Sequence, residues 1–141
     1  TEVASVSALP PDTKHAPGAP RGAVGAGGGP ARDTSNDIWA SDLHLTPNGK
    51  FLYAAEGTSS TLGTLTVDAG TGKLTYLGST PTEKQPRGFV IDRTGRFIIV
   101  SGEKSDTISA YAIDPSSGAL RQIGKYPTGK GSNWVEIVSF D

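Results

Sequence analysis

Three positions with side chains suited to chemistry recur at a constant interval of 46 residues. Each of these positions is a pair of consecutive residues: Ser41 and Asp42, Arg87 and Gly88, and Asn133 and Trp134. The Asp42 carboxylate can accept a proton from an attacking water. The Arg87 guanidinium offers a planar fork of donors to a phosphate, a carboxylate or a developing oxyanion. The Asn133 amide can donate a hydrogen bond, and the Trp134 ring can flank a ligand.

His44 follows Asp42 by two residues, so on a strand both side chains point to the same face. His44 can then orient the acid or act as the base itself. Structural alternatives stay open at this point. Asp42 and Arg87 can form an ion pair that ties adjacent inner strands, and His44 can be a hydrogen-bonded residue between repeats. Asn133 can cap the start of a strand, while Trp134 can pack without touching a ligand.

The 46-residue interval is that of a repeat that covers most of the chain. When Gly49 is set against Gly95, identities follow at turns and in apolar segments, among them Phe51 with Phe97 and Asp68 with Asp114. A repeat of about 40–50 residues built from short strands is typical of a β-propeller blade. The positions that differ between copies, such as Asp42 and Arg87, are therefore the candidates for a site.

The apolar segments predict four antiparallel strands in each repeat. In the first repeat they fall at residues 42–45, 51–55, 62–67 and 74–78, and in the second at residues 88–91, 97–101, 107–113 and 120–124. The second strand of each repeat is continuously apolar, as expected of a strand covered on both faces. A third copy begins at Asn133 and stops after one predicted strand, Trp134 to Phe140.

We therefore predict an all-β chain of about two four-stranded propeller blades plus a closing innermost strand. Its segments are expected as follows: residues 1–11, the outer strand of a preceding blade; 12–37, a flexible loop rich in Gly, Ala and Pro; 38–82 and 83–128, two blades; and 129–141, the innermost strand of the blade that closes the ring. Propellers have 4–8 blades, so this chain is expected to be the C-terminal part of a longer protein.

Composition excludes several classes of function. With 13 Lys and Arg against 14 Asp and Glu, the chain has no field suited to nucleic acid or to an acidic membrane. It has no cysteine, which rules out a disulfide framework and a Cys-ligated metal. No segment approaches the roughly 18 consecutive apolar residues of a membrane helix. We predict no nucleic-acid and no membrane partner.

Three segments carry a resemblance to a known family: Trp39 to Gly49, Gln85 to Phe89 and Gly129 to Val135. There the chain resembles the C-terminal third of the 6-phosphogluconolactonases, seven-bladed β-propellers. The resemblance implies a cytoplasmic hydrolase of the pentose phosphate pathway that opens a sugar lactone without an organic cofactor. Asp42, Arg87 and His44 would then be catalytic, and Arg87, Asn133 and Trp134 would bind the substrate. No metal site is predicted, because only Asp42 places a carboxylate at the start of an inner strand.

Two other functions stay open at this stage. The related carboxymuconate cyclases run a lactone-forming reaction on the same fold, and a propeller can also serve as a non-catalytic binding or assembly module. The isolated chain is expected to be inactive, because its site needs the remaining blades. Two blades alone would also expose apolar faces, so we expect the chain with its remaining blades or associated with itself.

Overall fold

The computed structural model describes residues 5–18 and 33–140. They form two separate four-stranded antiparallel sheets, each with its strands in sequence order. We call the first sheet blade 1 and the second blade 2. Blade 1 consists of β1 (Ala40–Leu45), β2 (Phe51–Glu56), β3 (Thr61–Val67) and β4 (Leu74–Pro81). The all-β prediction and the four strands of the first repeat are confirmed.

Blade 2 repeats this plan 46 residues later. Its strands are β5 (Pro86–Ile91), β6 (Phe97–Gly102), β7 (Thr107–Ile113) and β8 (Leu120–Pro127). Turn hydrogen bonds also repeat at this interval: the Gly72 N–H donates to the Asp68 carbonyl in blade 1, and the Gly118 N–H donates to the Asp114 carbonyl in blade 2. Both glycines have a φ of 71°, the left-handed conformation that glycine adopts without a steric penalty.

The hydrophobic core lies between the two blades. Tyr53 and Leu62 of blade 1 are fully buried, as are Ile98 and Val100 of blade 2. The Tyr53 hydroxyl donates a 2.7 Å hydrogen bond to the carbonyl of Gly118, in the β7–β8 turn of blade 2. The continuously apolar second strands thus supply the packing that holds the blades together, as their sequence predicted.

The predicted outer strand at residues 1–11 does not appear in its described part. Residues 5–11 form no strand. Instead the segment crosses over β3: a Cβ placed on Gly63 would lie 2.2 Å from the Ala8 carbonyl oxygen. Leu9 is buried. The segment therefore packs on the face of blade 1, and no described neighbour offers it the ladder that a strand needs.

The predicted flexible loop at residues 12–37 is described only at its two ends. Residues 19–32, its Gly-rich centre, lie outside the described residues. An isolated parallel bridge joins Ala16 to Asp37. The His15 Nδ1 and the Asn36 Oδ1 lie 2.7 Å apart, and the Asn36 amide also donates to the Lys14 carbonyl. The two ends of this segment are thus ordered against each other.

The predicted closing strand at the C-terminus is also not formed in its described part. Residues 133–140 pair with no described segment. The segment nevertheless lies beside β5, because a Cβ on Gly88 would come within 3.0 Å of the Asn133 carbonyl oxygen. Residues 5–18 and 33–140 contain no helix long and apolar enough to cross a membrane.

Candidate active site at the inner strands

The innermost strands of the two blades, β1 and β5, lie next to each other, and both contain a bulge near their first residues. In β1, Ala40 pairs with Glu56 and Asp42 with Ala55, so Ser41 has no partner of its own. In β5 the register shifts between Pro86 and Phe89. Arg87 lies in this second bulge. A bulge frees a side chain from the ladder and changes its direction.

Asp42 connects the two inner strands through the backbone of blade 2. Its Oδ2 accepts a 3.2 Å hydrogen bond from the Phe89 N–H, and its Oδ1 accepts a 2.9 Å bond from the Leu43 N–H. Ser41 adds a second link, since its hydroxyl donates to the Pro86 carbonyl at 2.7 Å. Asp42 therefore has a fixed orientation, while about a quarter of its side chain stays exposed (27%).

His44 completes an acid–imidazole pair with Asp42. Its Nε2 lies 3.1 Å from the Asp42 Oδ2, and its ring meets the Phe89 ring edge-on at a centroid distance of 4.8 Å. The carboxylate favours the tautomer in which Nε2 carries the proton, which leaves Nδ1 as an acceptor. Nδ1 has no partner among residues 5–18 and 33–140. The prediction that His44 lies on Asp42's face of the strand is confirmed.

Arg87 does not pair with Asp42, so the proposed ion pair between the inner strands is wrong. Its Nε lies 3.3 Å from the Glu103 Oε2, which also accepts a 3.1 Å hydrogen bond from the Gln85 amide. The two inner strands are joined instead by the bonds from the Phe89 N–H to Asp42 and from the Ser41 hydroxyl to the Pro86 carbonyl. The Arg87 side chain is 43% exposed, and its terminal nitrogens have no partner in the described part of the chain. They can bind an anion.

Glu103 was not among the residues predicted for the site. The β6–β7 loop carries it, and its carboxylate holds Arg87 at one nitrogen while the rest of the guanidinium faces solvent. Its counterpart 46 residues earlier is Gly57, which has no side chain. This difference between the two repeats was the signal that could have identified Glu103.

Asn133 and Trp134 lie beside β5, where the predicted register placed them. The backbone at Asn133 passes close to Gly88, since a Cβ there would lie 3.0 Å from the Asn133 carbonyl oxygen. The Asn133 side chain makes no hydrogen bond within the described residues. The Trp134 side chain is 74% exposed. A cavity of about 180 Å³ brings together segments of all three repeat positions, with Asp42, His44, Gly88, Phe89 and Trp134 among its lining residues.

The described residues contain no cluster of three or more His, Asp or Glu side chains placed to hold a metal ion. What this region can supply is an imidazole base oriented by a carboxylate, and the neighbouring strand β5 carries a cationic fork at Arg87, which does not line the cavity at Asp42 and His44. An arrangement of this kind can activate water and stabilise an oxyanion.

Comparison with known proteins places the chain among lactonases. A family model described as "Lactonase, 7-bladed beta-propeller" matches residues 1–137. The 6-phosphogluconolactonase of Pectobacterium carotovorum subsp. carotovorum strain PC1 is 46% identical over 103 residues, which are 73% of this chain and 31% of that protein. The 6-phosphogluconolactonase of Cronobacter sakazakii is 43% identical over 109 residues, or 77% of this chain and 33% of that protein.

Solved structures give the same result. A periplasmic gluconolactonase of Pseudomonas aeruginosa, PpgL, matches 68% of this chain and 27% of its own, with a TM-score of 0.63 and 31% identity. A putative 6-phosphogluconolactonase of Bacteroides fragilis NCTC 9343 matches 72% of this chain and 29% of its own, with a TM-score of 0.65 and 31% identity. The chain thus spans about a third of the length of these relatives.

Proposed function

The chain belongs to the seven-bladed β-propeller lactonase family, and from this premise we propose that it contributes two blades and part of the active site to a lactonase. The proposed reaction is hydrolysis of 6-phosphogluconolactone or a similar sugar lactone to the open acid. One observation carries the proposal: Asp42 and His44 form an oriented acid–imidazole pair in the cavity beside Arg87's strand.

Each residue has a role in this reaction. The Nδ1 of His44 accepts a proton from water as the water oxygen attacks the lactone carbonyl carbon. Asp42 stabilises the imidazolium that forms. The terminal nitrogens of Arg87 donate to the carbonyl oxygen as it becomes negative, or to another anionic group of the substrate. The bond from the carbonyl carbon to the ring oxygen then breaks, and the ring oxygen takes the proton back from the His44 imidazolium to become a hydroxyl group.

We propose that this activity requires a complete ring. Exposed apolar side chains support this: Leu43 and Leu45 of β1 are half exposed or more, and they point away from the face that Asp42 and His44 share. Further blades of the same protein, or another copy, would cover them. We also propose a cytoplasmic location, because a phosphorylated sugar lactone is too polar to cross a bilayer unaided.

The proposal is tested by kinetics of the full-length protein that contains this chain, with 6-phosphogluconolactone as substrate. Asp42→Asn is expected to lower kcat by roughly 10²-fold or more, because the carboxylate that orients His44 and stabilises its charged form is lost. Arg87→Ala is expected to lower kcat/KM about tenfold or more. Arg121→Ala is the matched control, since Arg121 is an exposed arginine on β8, the outer strand of the same blade.

Two results would contradict the proposal. If Asp42→Asn kept wild-type kcat, the acid–imidazole pair would have a structural role only. If the full-length protein failed to hydrolyse any sugar lactone, the lactonase assignment itself would be wrong. The proposal requires that the rate falls in Asp42→Asn and in Arg87→Ala and stays unchanged in Arg121→Ala.

A further inference from the structure

A second cavity of about 360 Å³ opens at the end of the blades where β1 and β5 begin. Its walls come from the segment before β1 and from three connections: the β2–β3 loop, the β4–β5 connection and the β6–β7 loop. The residues that matter for its chemistry are Trp39, Ser60, Lys84, Gln85 and Lys104. Lys84 and Gln85 directly precede β5, the strand that carries Arg87, although this cavity shares no lining residue with the one at Asp42 and His44. Its volume lies in the range of small-molecule sites, about 300–1,000 Å³.

The cavity carries two cations without partners. Lys84 and Lys104 are exposed, and neither ammonium group forms a salt bridge within residues 5–18 and 33–140. Their backbones are joined, since the Lys104 N–H donates to the Lys84 carbonyl at 3.2 Å. The two side chains therefore start from neighbouring points on one wall.

Two carboxylates near the cavity, Glu103 and Glu56, are already engaged by other groups. Glu103 forms an ion pair with Arg87 and accepts a hydrogen bond from the Gln85 amide. Glu56 accepts hydrogen bonds from the backbone N–H groups of Trp39 and Ser59 and from the Ser59 hydroxyl. Burial by itself would raise the pKa of Glu56, but these hydrogen bonds outweigh it and lower the pKa, so the group is a fixed anion facing its own donors. The positive charge of the two lysines is left for a ligand.

The backbone of the cavity wall is strained. Among the described residues, Ser60 and Gln85 are the two non-glycine residues with positive φ, at 58° and 51°. They line the same cavity and bond to each other, because the Gln85 N–H donates to the Ser60 hydroxyl at 3.1 Å. Strained residues of this kind persist where the surrounding structure holds them, and they cluster at binding sites.

We propose that this cavity binds the phosphate monoester of a phosphorylated sugar, with Lys84 and Lys104 as its cations and Trp39 against the sugar ring. A phosphate monoester carries a charge of about −1.5 to −2 at neutral pH, which two ammonium groups match. Trp39 is half exposed, and its backbone N–H is fixed by the Glu56 carboxylate at 2.7 Å. It thus presents an apolar ring beside the cations.

This inference rests on the proposed function and makes it more specific. The relatives include proteins named for a phosphorylated lactone and one named for gluconolactone. Lys84 and Lys104 favour the phosphorylated substrate, because an uncharged sugar would leave both cations without a counter-charge. They would act as specificity determinants, remote from the carbonyl carbon at which Asp42 and His44 act.

The test compares the full-length wild-type protein with a double variant, Lys84→Met with Lys104→Met. Calorimetric titration uses glucose 6-phosphate, which cannot be hydrolysed as a lactone, with glucose as the uncharged reference. Binding of glucose 6-phosphate is expected to weaken at least tenfold in the double variant. The ratio of kcat/KM for phosphorylated over unphosphorylated gluconolactone is expected to fall at least tenfold as well.

Matched variants keep this result interpretable. Lys50→Met with Lys73→Met removes the same charge from turns at the opposite end of blade 1 and is expected to leave both readouts unchanged. Lys84→Arg with Lys104→Arg keeps the cations and is expected to retain at least a third of the binding constant. If glucose 6-phosphate binds equally to wild type and to the Met double variant, the inference is overturned.

The inference and the proposed function can fail separately. A protein that binds glucose 6-phosphate through Lys84 and Lys104, yet hydrolyses no lactone, would support the phosphate site and refute the lactonase. An active lactonase whose substrate ratio does not respond to the double variant would refute the phosphate site alone.

Discussion

Removal of one buried hydroxyl tests how blade 1 is fastened to blade 2. Tyr53 lies on β2, is fully buried, and donates its hydroxyl proton to the Gly118 carbonyl in the β7–β8 turn at 2.7 Å. Tyr53→Phe removes only the hydroxyl and keeps the ring in the core. We expect it to weaken the junction between the blades rather than either sheet.

The size of the effect follows from burial at both ends of the bond. An ordinary intramolecular hydrogen bond contributes about 0.5–1.5 kcal/mol net, but a buried group left without a partner costs about 1–3 kcal/mol. Gly118 is buried, and its carbonyl accepts no other hydrogen bond that the structure shows. Tyr53→Phe should therefore lower the free energy of unfolding by about 2 kcal/mol. Because burial also raises the pKa of Tyr53, the hydroxyl stays a donor and the loss should not vary between neutral and mildly alkaline pH.

Urea unfolding of the full-length protein measures this loss as a shift in midpoint at unchanged m-value. Tyr76→Phe is the matched control: its hydroxyl lies 2.7 Å from that of Ser79, within the partly exposed outer strand β4 of blade 1. It should cost no more than about 0.5 kcal/mol, since water can replace the lost partner. If the two variants lost the same stability, the Tyr53 hydrogen bond would not hold the blades together.

Two further predictions concern the turns. Gly118→Ala should destabilise the protein by about 1–3 kcal/mol more than Gly49→Ala in thermal or urea unfolding. Both residues have φ near +70°, but a Cβ on Gly118 would lie 2.5 Å from the Phe51 ring, whereas one on Gly49 would meet nothing. Equal losses would argue against this packing. The Ser116 hydroxyl is the chief group that lowers the pKa of Asp114 to about 2, so this pKa should appear near that value in an NMR titration and rise in Ser116→Ala. Because the pKa is depressed on folding, the stability that Asp114 contributes is present above about pH 4 and is lost as pH falls towards 2.

The repeat predicted the strands well because the two copies share the residues that make turns and core. The predicted and the observed strands differ locally, at the ends of the fourth strand of each blade. The fourth strands were predicted to end at Gly78 and Gly124. Both strands continue for three further residues, through a register shift opposite each glycine. A glycine inside a strand often marks a bulge rather than an end, and the sequence offered no means of choosing between the two.

The candidate site was predictable in its positions but not in its contacts. The register identified Asp42 and Arg87 as residues that differ between copies, and His44 as a neighbour on the same strand face. It could not show that the Asp42 carboxylate meets the Phe89 N–H, because this bond crosses from one blade to the next. The partner of Arg87, Glu103, comes from a loop whose path depends on tertiary structure.

The bulges explain why Ser41 and Arg87 are free to differ, whereas Asp42 stays paired with Ala55 in the ladder. A residue in the ladder of an inner strand must place its backbone against the next strand and its side chain against a neighbouring blade, so its identity is restricted. Ser41 and Arg87 lie in bulges, outside the regular pairing, and can change without disturbing the sheet. Variation between repeats therefore collects at the end of the blades where a ligand can reach it.

The β6–β7 loop also differs in its side chains from its counterpart in blade 1. Its residues Glu103 and Lys104 replace the small pair Gly57 and Thr58 of blade 1. Glu103 orients Arg87, and Lys104 lines the proposed phosphate cavity. Both charged side chains are thus present in one repeat only. The backbone hydrogen bonds of the two loops are nevertheless equivalent, because the Gly57 N–H donates to the Trp39 carbonyl and the Glu103 N–H donates to the Gln85 carbonyl. A similar backbone with unlike side chains thus lets two similar blades present different groups to the proposed site.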